Sequence, residues 1–196
     1  MEGTIYEGAI RSGPRLITTS SGGTHLCDGT NNNANPTPQG TSITALDSAS
    51  RLCGFGYDGT YDSEFQDFFI TSIGNTTQTS TISWGLLKNF QFTPVGGCQE
   101  EPAPTDEILW AYDAPNAPLI LDVQPRIVGV RRGHTVVLTI TDGPTGRPVS
   151  GALFAGVLSD ANGKVVFTAS KVGTFRYKAT RADAIRSPAM VITVTK

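Results

Sequence analysis

The densest grouping of chemically capable side chains is His25-Leu26-Cys27-Asp28, which sets an imidazole, a thiol and a carboxylate within four positions. A nucleophilic enzyme needs such a base beside its thiol or hydroxyl. Whether Cys27 is free decides the matter. The chain has three cysteines, Cys27, Cys53 and Cys98, so at most one intrachain pair forms. Cys27 and Cys98 stand in glycine-rich stretches (Gly22-Gly23-Thr24-His25-Leu26-Cys27 and Gly96-Gly97-Cys98), where the backbone accommodates disulfide geometry. Cys53 falls in the best helical segment. The expected bond is therefore Cys27–Cys98, which stabilises by roughly 4 kcal/mol on the chain-entropy view and argues for an oxidising compartment. A cysteine so bonded neither attacks nor ligates. No catalytic residue is assigned, and the chain reads as a protein that is not an enzyme.

Carboxylates offer a second chemistry. Asp58, Asp62, Glu64 and Asp67 crowd one stretch, with Asp28 and Asp106 as further oxygen donors. Hard ligands at alternate positions suit calcium, but the glycine of a sharp turn and the terminal bidentate Glu are out of register. The stretch reads as an acidic, solvated loop, and neither metal nor cofactor is expected. Cys98-Gln99 pairs the residue types of an internal thioester, yet adjacent residues do not close that ring in the geometry of the surface adhesins that carry it. The second part of the chain has no Glu and only Asp142, Asp160 and Asp183, which disfavours a Lys–Asn isopeptide bond.

Aromatic residues offer a third. Phe55, Tyr57, Tyr61, Phe65, Phe68 and Phe69 fall within 15 residues, interleaved with Gly and Asp. Tyr57 and Tyr61, on an expected loop Gly56-Tyr57-Asp58-Gly59-Thr60-Tyr61, have the composition of a sugar- or partner-recognising surface. The alternative is a loop packed by its own aromatics. Asn75-Thr76-Thr77 is an acceptor sequon, which marks Asn75 as a glycosylation candidate.

These groups need elements to hold them. Thr41 or Ser42 is placed to cap a helix carrying Ala45, Leu46, Ala49, Leu52 and Cys53 on one stripe, and Gly54 supplies its left-handed stop. Strand-like runs follow at 68–73, 81–86, 90–92 and 108–112. Strands around a single helix predict an α+β roll, a sheet packed on that helix. Further on the pattern alternates with period two: Val136, Leu138 and Ile140; Phe175, Tyr177 and Ala179; Met190, Ile192 and Val194. Turn signals at 142–146, 160–163 and 171–173 separate these runs, which predicts a small β-sandwich.

Charge divides the chain at the same place. Residues 1–122 hold 4 basic and 14 acidic residues, a net of −10, and residues 123–196 hold 11 basic and 3 acidic, a net of +8. Two modules with opposite fields are expected, 1–122 and 123–196. Such a chain is able to associate head-to-tail; the same charges are equally able to hold its own modules together. Nucleic acid is disfavoured, because the basic residues lack aromatic interleaving and the acidic module repels phosphate. No apolar run approaches the ~18 residues of a transmembrane segment. Met1-Glu2-Gly3 runs straight into β-like sequence, so an extracellular setting carries the expectation of a removed leader.

The stretches Thr4-Ile5-Tyr6-Glu7-Gly8, Ser21–Asn31 (SGGTHLCDGTN), Phe68–Gly74 (FFITSIG), Trp84–Phe90 (WGLLKNF), Gly96-Gly97-Cys98 and Asp106–Tyr112 (DEILWAY) together resemble the transcobalamin-like C-terminal domain of the soluble-ligand-binding β-grasp group. Residues 133–136, 146–152, 160–164 and 173–175 resemble a bacterial Ig-like or carboxypeptidase-regulatory-like domain. The resemblance implies a mostly β protein, with an α+β β-grasp-like N-terminal domain bearing one helix and a C-terminal Ig-like β-sandwich. It also implies the Cys27–Cys98 link, a secreted or cell-surface setting, and histidines in different domains. Pro104-Thr105 and Pro115 depart from the family pattern at the rim. The function expected is a noncatalytic structural or adhesion protein, self-associating or bound to a cell-wall or glycan surface. The alternative is a small-ligand or glycan binder using a rim of Tyr57, Tyr61, Trp84, Asn89 and Trp110.

Overall fold

The computed structural model describes residues 3–196 as two compact units, the first ending at Asn116 and the second covering Ala117–Lys196. Among the described residues the chain is mostly β, with one α-helix. The division precedes Asp122 because Leu119–Gln124 is a strand of the second unit. Leu121 and Val123 are wholly buried in that unit's core, so residue 122 lies inside an element.

In the first unit β1 (Arg15–Thr19) and β2 (Gly23–Cys27) form an antiparallel hairpin. Ile17 and Cys27 turn inward; their neighbours Leu16 and Leu26 pair on the exposed face. Helix α1 (Ser42–Cys53) begins at Thr41, whose hydroxyl accepts from the Thr44 N–H while the Thr44 hydroxyl accepts from the Thr41 N–H. It ends at Gly54, at φ +73°. Its buried face runs through Ile43, Leu46 and Asp47, a spacing of three and four. Leu52 and Cys53, expected on the buried stripe, rotate off that face and are exposed.

Strands β3 (Tyr57–Asp62), β4 (Asp67–Ile73) and β5 (Thr76–Thr77) make one antiparallel sheet, and β6 (Trp84–Lys88) lies between β7 (Gln91–Phe92) and β8 (Ile108–Tyr112) in another. The segment expected as a loop at 56–61 is thus mostly strand. A bulge between Asp58 and Gly59 breaks its register, and a side chain at Gly59 would press on the Phe69 carbonyl. In place of one continuous sheet on the helix, the strands divide into three small sheets. Ile17, Ile43, Leu46, Phe68, Ile70 and Ile73 fill the core together with Cys27 and Cys98, which are disulfide-bonded across 71 residues.

The second unit adds β9 (Leu119–Gln124), β10 (Ile127–Arg131), β11 (Thr135–Asp142), β12 (Leu153–Phe154), β13 (Val157–Leu158), β14 (Lys164–Thr168), β15 (Gly173–Tyr177), β16 (Ala184–Ile185) and β17 (Met190–Thr195). One sheet has the order β14-β11-β9-β16, a second β10-β17-β15, and β12 pairs with β13. Leu138 and Ile140 of β11, Val165 of β14 and Met190, Ile192 and Val194 of β17 enter one shared core. The period-two pattern locates these buried positions correctly, since alternate side chains of a strand face opposite ways. Its turns are side-chain capped: Asp160 accepts from the N–H groups of Asn162 and Lys164 at 2.8 and 2.7 Å. Arg126 is half-buried and bonds Asp122 at 2.8 Å. Among the described residues no helix is long and apolar enough to cross a membrane.

Candidate functional site

The residues grouped around His25 are engaged by their neighbours. Cys27 is wholly buried in the disulfide with Cys98. His25 lies flat on Tyr61, ring centroids 3.4 Å apart and planes within 2°, and Phe68 meets both rings edge-on. His25 Nε2 sits 3.0 Å from the Gly22 carbonyl, which only accepts, so this nitrogen carries the proton. Asp28 folds back on the Thr30 N–H and hydroxyl at 3.1 and 2.9 Å.

Asp47 is a polar centre that local pattern does not single out. Buried on the inner face of α1, it accepts from Arg15 at 3.0 Å, from Arg51 at 2.8 Å and from the Tyr57 hydroxyl at 3.0 Å. Burial and then the Asp47 charge hold the Tyr57 phenol well above the usual tyrosine range. The Tyr57 hydroxyl therefore serves the helix.

Of the other rim residues, Trp84 is half-buried and donates from Nε1 to the Thr76 carbonyl at 3.3 Å. Trp110 is half-buried, and its Nε1 is buried without a hydrogen-bond partner. The pairing of Trp84 with Tyr112 and of Leu86 with Trp110 puts both indoles on one face of their sheet. Tyr57, Tyr61, Trp84 and Trp110 all pack on the first core. Asn89 sits apart from them in an exposed turn, at φ +50°, donating to Asp106 at 2.7 Å and accepting from the Glu107 N–H at 2.9 Å. Asn75 is exposed in the turn between β4 and β5.

The acidic stretch is used residue by residue. Asp58 accepts from the Ser21 hydroxyl and N–H, and the hydroxyl holds its carboxyl below the ordinary range. Asp62 Oδ1 accepts from the N–H groups of Glu64 and Phe65 at 2.8 and 3.2 Å. Asp67 is buried beneath the Gly96–Cys98 loop. Burial pushes its carboxyl up to about 6, against the pull of N–H donors that include Cys98 and Phe68. Gln99 donates to the Gln66 carbonyl at 2.9 Å and accepts from the Asn31 N–H at 2.7 Å, tying three segments together.

The second unit contains a groove of about 390 Å³ that no motif announced, lined by Val157, Val166, Phe167, Lys171, Phe175 and Tyr177 among others. It opens beside β14 and β15, which are consecutive in the chain but edge strands of different sheets. Phe175 and Tyr177 stack, and Phe167 leans on Tyr177 with centroids 5.8 Å apart. Val166 is 53% exposed and faces Val137, 56% exposed, across the outer face of the pair. One sequence signal was available: Val165-Val166-Phe167 is a continuous apolar run where a half-solvated strand alternates. The β12–β13 hairpin closes one side through a two-residue turn with both central residues left-handed, Ala155 at φ +48° and Gly156 at +87°. The groove lining mixes these rings with Thr168, Ser170 and Lys171. No family model matches the chain, and neither curated proteins nor solved structures give a match to it.

Proposed function

We propose that this chain is a noncatalytic structural or adhesive protein of an extracellular or cell-surface setting, whose β-grasp-like first domain and Ig-like second domain associate head-to-tail between copies. One observation carries the reading: with the boundary at Asn116, the units hold net formal charges of −9 and +7. Fields of opposite sign on two modules favour heterologous pairing, which propagates when its rotation does not close. Two further features support it. The chemically capable residues His25, Cys27, Asp47 and Asp67 are engaged in stacking, disulfide and hydrogen bonds within the first unit, and a buried disulfide suits an oxidising compartment. Free edges at β14 and β15 suit strand addition.

Sedimentation velocity of the full chain across a concentration series at about 20 and about 500 mM salt tests the reading, since exposed charges are screened beyond a few ångströms at the higher value. Assemblies that grow with concentration and dissolve with salt are expected. A monomer at every concentration and both salts would remove the self-assembling reading.

A further inference from the structure

The groove beside β14 and β15 carries aromatic rings and a cation. Phe167, Phe175, Tyr177 and Lys171 line it; Arg176, between Phe175 and Tyr177 on β15, faces the other side of that strand. No Asp or Glu is among its lining residues.

The first unit presents a matching feature. The hairpin joining β3 to β4 carries Asp62-Ser63-Glu64-Phe65-Gln66, with the Phe65 ring 67% exposed. An exposed phenylalanine between carboxylates has no role in its own core. Yet the segment around it is held firmly. Asp62 Oδ1 accepts from the N–H groups of Glu64 and Phe65, and Gln66, left-handed at φ +51°, has its carbonyl bonded by Gln99. A knob already set in one shape loses little conformational freedom on binding.

We propose that the groove of the second unit is the docking site for the Phe65 hairpin of a second copy of this chain. Phe65 enters among Phe167, Phe175 and Tyr177 beside Val157, and Asp62 and Glu64 lie on the side of Lys171. The apolar centre supplies affinity, and the rim charges supply orientation and salt dependence. This contact rests on the self-assembly reading and names its two faces. The charge match selects the occupant: the knob and groove carry opposite signs, as do the units that bear them.

The test uses two full-length variants, Phe65→Ser, which removes the knob, and Val157→Glu, which blocks the groove at an exposed lining position. In sedimentation velocity each variant alone weakens association by ~30-fold or more, as an aromatic anchor does. Mixed in equal amounts, they form a two-chain species and stop there, because only one intact knob meets one intact groove. A second pair guards against a folding defect: Glu64→Lys and Lys171→Glu each weaken assembly, and the double variant recovers it. If wild type assembles and all four variants assemble equally well, the contact is wrong and the self-assembly reading stands. If the mixed variants stay monomeric while wild type assembles, the contact is again wrong. A wild type that is monomeric throughout, as an intrachain seat for the knob would give, overturns both.

Discussion

The backbone N–H of Cys98 points at the carboxylate of Asp67, 3.0 Å from one oxygen and 3.1 Å from the other. A carboxyl side chain thus sits buried directly under one half of the disulfide. A side chain on Gly96 would overlap that carboxylate, so the approach requires glycine there.

Burial raises the Asp67 pKa to about 6, from an ordinary 3.8. The folded state then holds a proton that the unfolded chain has released between about pH 4 and 6. The stabilisation from protonated Asp67 is fully present below pH 4 and is lost as pH rises through 6, a change of up to about 3 kcal/mol. Denaturant titrations at pH 4.5 and 7.5 should show this component as greater stability at the lower pH. Asp67→Asn should remove that difference, and an unchanged difference in the variant would assign it to other groups.

Removing Asp47 should be costly and removing Arg51 should not. Asp47→Ala strands the Tyr57 hydroxyl and the partly buried Arg15, and loss of one partner from a buried pair costs about 3–5 kcal/mol. Arg51 has a side chain 68% exposed, so Arg51→Ala should stay within about 0.5 kcal/mol. Paired denaturation curves decide this, and similar losses for both would contradict the buried centre.

Reduction of Cys27–Cys98, or its replacement by two alanines, should lower the stability of the first unit by roughly 4 kcal/mol for a loop of 71 residues. Cys53→Ser should change little, since the residue is exposed. Thiol counting under native and denaturing conditions adds a direct check: one reactive thiol is expected in each.

Ala155 adopts a left-handed conformation at φ +48° that costs an ordinary residue about 1–2 kcal/mol. Ala155→Gly relieves this and returns about 0.4–1 kcal/mol to the unfolded chain as entropy. A net gain of about 0.5–1 kcal/mol in the second unit is expected from thermal or denaturant unfolding. A loss would mean that the alanine methyl makes a contact worth more than the strain.

What was readable from residues alone is what short-range chemistry governs. The alternation of Leu138 and Ile140, or of Met190, Ile192 and Val194, names buried positions because strand geometry repeats every two residues. Gly54 names the helix end and Thr41 or Ser42 its start, because capping is settled within a few residues; the structure selects Thr41. The Cys27–Cys98 pairing was readable from glycine-rich surroundings and the odd thiol count. Charge partition was visible by counting.

Contacts between distant segments were decided only in the tertiary structure. Asp47 reads as an ordinary helix residue until packing brings Arg15 and Tyr57 to it from 32 and 10 residues away. Leu52 and Cys53 fit a helical stripe, yet the core lies against the face through Ile43 and Leu46. Nothing near His25 in the sequence foretells the Tyr61 ring that stacks on it from 36 residues away. The groove exists because two edge strands from different sheets part beside a short hairpin. Local periodicity states which way a side chain points, and only the packed chain states what it meets.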